Sequence, residues 1–162
     1  MEDKAKDLKE SVEGWKSEIQ KTNKGSLELE KDLIFNGRTQ RGYEVEYDAG
    51  MQMGCSPTET LIMSLAGCLG IDVVFFLRKM RVEIKTFRID YEGERNLTPP
   101  QYYKSIDMTI TISGSGITPK KIERAISLSQ EKYCSVQHTL RSDLEVNVNY
   151  KIEEDKAELS GA

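Results

Sequence analysis

Two thiols and one carboxylate carry the chemistry that this chain can offer. Cys68 and Asp72 lie within SPTETLIMSLAGCLGIDVVFFL (Ser56–Leu77), the most apolar stretch of the chain, and Cys134 lies in EKYCSV, near the end of a later helical pattern. A cysteine attacks as its thiolate, so a reactive one needs something to pull its pKa below about 8.5. Cys68 falls about three turns into its helix and gains nothing from the helix N-terminus. Asp72, at i+4 on the same face, opposes ionisation, because a nearby negative charge raises a thiol's pKa. A cation must therefore reach Cys68 from outside the helix, and Arg38 and Arg41 in NGRTQRG are the candidates. Cys134, at a helix C-terminus, sits where the dipole disfavours a thiolate, which suits a resolving thiol better than an attacking one. Gly67 beside Cys68 and Ser135 beside Cys134 let another backbone or a substrate approach the sulfurs. The plainer alternative treats Cys68 as a small buried hydrophobe and the arginines as solvated loop charges. Cys55, in a connector before the helix, is read as incidental.

The elements that must position these groups follow from pattern. Ser56, Pro57 and Glu59 spell an N-cap, a first-turn proline and the third position of a capping box, opening a helix that should run to about Met80. Arg78, Lys79 and Arg81 suit its negative end. Apolar residues surround most of this helix, so one sheet cannot cover it, and a second helix or a second subunit must take the other face. Ser26–Phe35 and Tyr43–Asp48 read as two strands around a hairpin loop, NGRTQRG, and AGMQMG (Ala49–Gly54) as a flexible connector. Val82–Glu94, Lys104–Gly114 and Leu144–Glu153 read as three more strands by their alternation. Thr118 and Pro119 start a second helix with Ile122, Ala125, Ile126 and Ser129 inward. The order is β-β-α-β-β-α-β, an α+β class of antiparallel strands with two core helices. Residues 1–25 read as a charged helical extension with Leu8, Val12, Trp15 and Ile19 on one stripe. Residues 26–154 read as the domain, and residues 155–162 as a disordered tail.

Bulk numbers bound the function. Of the 162 residues, 38% are hydrophobic and 31% charged, which fits one soluble domain with a small core that a partner chain could supplement. A net charge of -4 and a pI near 5.2 exclude a nucleic-acid binder. MEDKAKDLKE has no apolar run, so no secretory signal is expected there, and Asp72 interrupts the only long apolar run, so no membrane span is expected either. The cytoplasm follows, with three cysteines reduced at rest.

The segment SPTETLIMSLAGCLGIDVVFFLRKM resembles the Ser-Pro-x-Glu … Ala-Gly-Cys helix of the OsmC/Ohr family. LSQEKYCSV resembles that family's second-cysteine segment, and NGRT falls where many members carry an arginine loop. The resemblance spans roughly Leu27 to Ile152. It implies an intertwined homodimer with the cysteine helices at its centre. It also implies a thiol-dependent peroxidase, an organic hydroperoxide reductase of the oxidative stress response. Cys68 would attack the O–O bond and become a sulfenic acid, Cys134 would close a disulfide with it, and Arg38 would hold Cys68 as thiolate. A dithiol reductant, such as a lipoyl group, would reset the pair. No metal or organic cofactor is implied. In the peroxidase branch a carboxylate follows the proline directly, whereas here that position is Thr58. Glu59, nine residues before Cys68, falls on the opposite helix face, which suits the capping box. Asp72 is then expected to replace that carboxylate by orienting Arg38 beside Cys68.

Three rivals belong to other classes. A non-catalytic member of the same family could hold a hydrophobic or thiol ligand at the dimer interface. Cys134 and His138, at i and i+4, could bind zinc with Cys68 as a third ligand. A hot-dog thioesterase also wraps a sheet around one long apolar helix, but it gives Cys134 no use.

Overall fold

In the computed structural model, residues 14–17 and 19–154 are described. The extension read over residues 1–25 lies largely outside them, and the tail read over residues 155–162 lies outside them entirely; Gly14–Ser17 forms a turn closed by the Ser17 amide on the Gly14 carbonyl. The chain divides into two units, one of residues 14–63 and one whose described part is residues 64–154.

The smaller unit holds a three-stranded antiparallel meander, β1 (Gly25–Lys31), β2 (Ile34–Thr39) and β3 (Glu44–Asp48). The stretch Ser26–Phe35, expected as one strand, is two strands joined at Asp32–Leu33. No glycine or proline marks that turn; Asp32 takes the left-handed φ of 48° itself, a conformation its short polar side chain tolerates. The expected hairpin loop shrinks accordingly. Asn36, Gly37 and Arg38 belong to β2, and the reversal occurs at Gln40–Tyr43, where Gly42 takes φ 85°. The connector AGMQMG is tied rather than flexible. The Asp48 carboxylate accepts the amides of Gly50 (2.7 Å), Gln52 (3.0 Å) and Met53 (3.0 Å). Those bonds hold its pKa below the usual carboxylate value.

Helix α1 (Pro57–Lys79) begins in the smaller unit and continues in the larger. Its capping box is formed. The Ser56 amide donates to Glu59 Oε2 at 2.7 Å, and the Glu59 amide donates to Ser56 Oγ at 3.2 Å. By length and composition alone α1 could cross a bilayer, but Leu65, Leu69, Val73, Phe76 and Leu77 are buried within the fold, and Asp72 with them.

In the larger unit β4 (Glu83–Arg95), β5 (Tyr103–Ser115) and β6 (Glu145–Ile152) form one sheet in the order β4-β5-β6. The fold class agrees with the sequence reading, with one refinement: β6 runs parallel to β5, and β4 antiparallel. A parallel pair needs a long crossover. Helix α2 (Pro119–Leu128), a single π-helical turn (Ser129–Tyr133) and the short α3 (Ser135–Thr139) provide it. β5 buries Ile106, Met108, Ile110 and Ile112 on one face by strict alternation. Each contributes roughly 1.5–3 kcal/mol by leaving water. α2 returns Ile122, Ala125 and Ile126 to the same core, capped by Thr118 Oγ1, which accepts the Lys121 amide. α1 lies close over β4: a Cβ at Gly70 would meet Ile89 Cδ1 at 3.3 Å.

Candidate functional site

The core of the larger unit brings together groups that are far apart in the chain. Cys68 faces inward from α1, half-buried, and Asp72 follows one turn later, fully buried. Across from them the crossover supplies Ser129, at the start of the π-helical turn, and Cys134, at its end; both are buried. The two thiols lie close enough for Cys68 to raise the pKa of Cys134. All three cysteines of the chain are thiols, with none in a disulfide.

The π-turn makes this placement. Its wider winding lets the Cys134 amide donate to the Ser129 carbonyl at 2.8 Å, five residues back. The turn is pinned on two sides. Tyr133 packs its ring 5.2 Å from that of Phe76 on α1, and the Gln130 side-chain Nε2 donates to the Val146 carbonyl on β6 at 3.4 Å. Ser129 Oγ donates to Asp72 Oδ2 at 2.9 Å. Ser129 therefore links Asp72 through its side chain and Cys134 through its carbonyl. Sequence reading placed Ser129 on the inner face of the helix but did not identify it as a site residue. Its partner is 57 residues away, and the only local signal was a hydroxyl at an inward position.

The electrostatics separate the two sulfurs. Burial pushes the Cys134 thiol up to about 11, the neighbouring Cys68 and Asp72 add to the rise, and the Gln137 amide works in the other direction. At neutral pH Cys134 is a thiol. Beside Cys68 the surface is open: a Cβ on Gly67 would meet nothing within 4 Å.

The remaining expected residues fall as follows. Glu59 is engaged in the α1 cap, where the Ser56 amide and hydroxyl hold its carboxyl below the usual value. Arg38 stands on β2, directly across from Glu44, and pairs with it at 2.8 Å in an exposed contact. Arg41 lies in the exposed β2–β3 turn. Cys55 sits half-buried before the cap, its thiol directed at the Glu46 carbonyl at 3.6 Å. The His138 amide bonds the Cys134 carbonyl in α3; among the described residues no group of three His, Cys, Asp or Glu side chains is placed to hold a metal ion.

Comparison with known proteins agrees with this architecture. The family model described as OsmC-like protein matches residues 50–149. Protein YhfA of Escherichia coli (strain K12) is 29% identical over 121 residues, covering 74% of this chain and 90% of its own. The crystal structure of a hypothetical protein from Aquifex aeolicus VF5 superposes with a TM-score of 0.76 at 28% identity, over 85% of this chain and all (100%) of that one. An organic hydroperoxide resistance protein OsmC from Legionella pneumophila has the same fold, with a TM-score of 0.62 at 12% identity over 83% of this chain and 99% of its own.

Proposed function

The chain belongs to the OsmC-like family, and from that premise we propose that it is a thiol-dependent peroxidase that reduces organic hydroperoxides. The observation that supports this reading is that the Cys68 and Cys134 thiols, from α1 and from the end of the crossover, are brought close enough in one core for Cys68 to raise the pKa of Cys134. Such a pair suits a two-thiol peroxide cycle. Cys68, beside the open surface at Gly67, attacks the outer oxygen of ROOH as thiolate, and the O–O bond breaks to leave a sulfenic acid and ROH. Cys134 attacks that sulfur, a disulfide forms and water leaves. A dithiol such as a lipoyl group then restores both thiols by exchange. Two relatives of the same fold are named organic hydroperoxide resistance proteins, from Legionella pneumophila and Bacillus subtilis.

We assign the cation that favours the Cys68 thiolate to Arg38, with Arg41 as the alternative. The working unit in this reading is a homodimer in the cytoplasm, because large apolar side chains remain exposed: Leu27, Leu29 and Leu33 on the small sheet, Ile71 on α1. One observation favours a second reading, a non-catalytic binder of a hydrophobic or thiol ligand. A carboxylate, Asp72, is buried at the thiol pair and raises the pKa of Cys134. The deciding experiment adds an alkyl hydroperoxide to the reduced protein and follows Cys68 by mass spectrometry, then adds dihydrolipoate. Oxidation of Cys68, a Cys68–Cys134 disulfide and catalytic consumption of the dithiol are expected. A Cys68 that stays reduced while the peroxide persists would leave the binding reading in its place.

A further inference from the structure

Asp72 is a carboxylate in the interior of the fold, and the peroxide cycle as derived so far gives it no task. Its surroundings suggest one. Cys134 is 1% exposed, and Asp72 and Ser129 are each 0% exposed, so bulk water does not reach this end of the thiol pair. Yet a buried thiol that closes a disulfide must lose its proton, and when the disulfide is reduced it must regain one. Asp72 is the carboxylate near enough to Cys134 to act on its ionisation. It is tied by Ser129 Oγ at 2.9 Å, while the Ser129 carbonyl holds the Cys134 amide at 2.8 Å. One residue thus fixes the carboxylate and the cysteine relative to each other.

We propose that Asp72 is the proton acceptor and donor of Cys134, taking its proton as the Cys68–Cys134 disulfide forms and returning it as the disulfide is reduced. Ser129 is the positioning residue. In the forward step the Cys134 sulfur attacks the Cys68 sulfur, its proton passes to the Asp72 carboxylate, and the S–O bond of the sulfenic acid breaks. The departing hydroxide takes a proton from solvent on the open side of Cys68 and leaves as water, while Asp72 keeps the Cys134 proton. In the return step one thiolate of a dithiol attacks the accessible Cys68 sulfur, and the S–S bond breaks. Cys134 departs with the electron pair and takes the proton from Asp72. The second thiol of the reductant then closes its own disulfide and frees Cys68. The return step needs this help more. A thiol with a raised pKa, here about 11, is a poor leaving group as its anion and a better one when protonated on departure.

The proposal rests on the two-thiol reading, but its test does not require a peroxide. In a Cys55→Ser background, Cys68 is converted to a mixed disulfide with 5,5′-dithiobis(2-nitrobenzoate). The second release of thionitrobenzoate reports attack by Cys134. With Asp72→Asn the first release should not slow, while the second should slow by at least roughly tenfold, in the range of a lost general base. Ser129→Ala should slow the second release less, again without slowing the first. It serves as the second variant if Asp72→Asn does not fold. A second release that keeps its wild-type rate in the folded variants overturns the role of Asp72. A wild-type protein that closes the disulfide with this probe, but leaves Cys68 reduced with alkyl hydroperoxides, overturns the peroxidase reading and leaves the proton role standing.

Discussion

At the scale of single residues, the chain separates two chemically equal thiols by their surroundings. Cys134 is buried and its pKa is pushed from an ordinary 9.0 to about 11. Because the folded value is above the unfolded one, the folded chain keeps a proton that the unfolded chain releases, and stability falls as pH rises through this window. Unfolding free energy should drop by about 2–3 kcal/mol from this group over that interval. Urea titrations at a series of alkaline pH values should show the drop, and Cys134→Ala should remove that share of it. The same asymmetry gives different outcomes for the two serine substitutions. Cys68→Ser should abolish peroxide reduction. Cys134→Ser should still allow a first oxidation, leaving Cys68 as a sulfenic acid trapped by dimedone and driven on to the sulfinic acid by excess peroxide. Dimedone adducts in the Cys68→Ser protein, or none in the Cys134→Ser protein, would reverse the assignment. That Cys68 lies in the long helix and Cys134 at the end of the later helical segment was legible in the sequence, because each has a recognisable local setting. The Ser129–Asp72 bond was not, since nothing local to either residue points to the other.

At the scale of elements, local signals were read correctly where the chain obeys them and misread where the sheet overrides them. The capping box at Ser56, Pro57 and Glu59 is formed as spelled. Ser56→Ala should cost about 1 kcal/mol by freeing the Glu59 amide. Glu59→Gln should leave peroxide reduction unchanged, because the carboxylate is occupied at the cap. The hydrogen bonds that lower the Glu59 pKa give stability present above the ordinary carboxylate pKa and lost as pH falls through the lowered one. In Glu59→Gln that acid loss should shrink, as thermal melts at pH 3 to 6 would show (roughly the carboxylate range). Asn36-Gly37 has the composition of a two-residue hairpin, but lies inside β2. Gly37 sits in the middle strand, where a Cβ would meet Leu27 Cδ1 and the Val45 carbonyl at 3.4 Å, an ordinary contact, so it makes no turn there and a side chain has room. Gly114 is the opposite case. It takes φ 148° at the irregular end of the β4–β5 ladder, and a Cβ there would fall 1.9 Å from the Glu83 carbonyl. Gly114→Ala should cost several kcal/mol and lower the melting temperature sharply. The parallel pairing of β6 was available in principle from the long helical crossover after β5, but strand alternation alone carries no direction.

At the scale of the whole molecule, the low hydrophobic content of the sequence meets the apolar surface that the single chain leaves uncovered. Ile71 on α1 is 61% exposed; on the small sheet Leu27 is 58%, Leu29 60% and Leu33 64% exposed. Single exposed apolar residues are ordinary on soluble proteins, whereas a contiguous apolar patch is a candidate contact surface. On α1, Leu61 and Met63 are exposed as well, on different sides of the helix near its start. The sequence reading asked for a second helix or a second subunit to cover the other face of this helix. If a second copy covers α1, sedimentation equilibrium should give twice the chain mass at micromolar concentration. Ile71→Arg should return the monomer mass, because a guanidinium buried against its symmetry mate is left without a partner. The same variant keeps Cys68, Asp72, Ser129 and Cys134, so its thiol-disulfide closure should persist even as the dimer is lost. A wild-type chain that sediments as a monomer would instead leave α1 with its exposed apolar residues in water, and would remove the second subunit from the account of how this small core is stable.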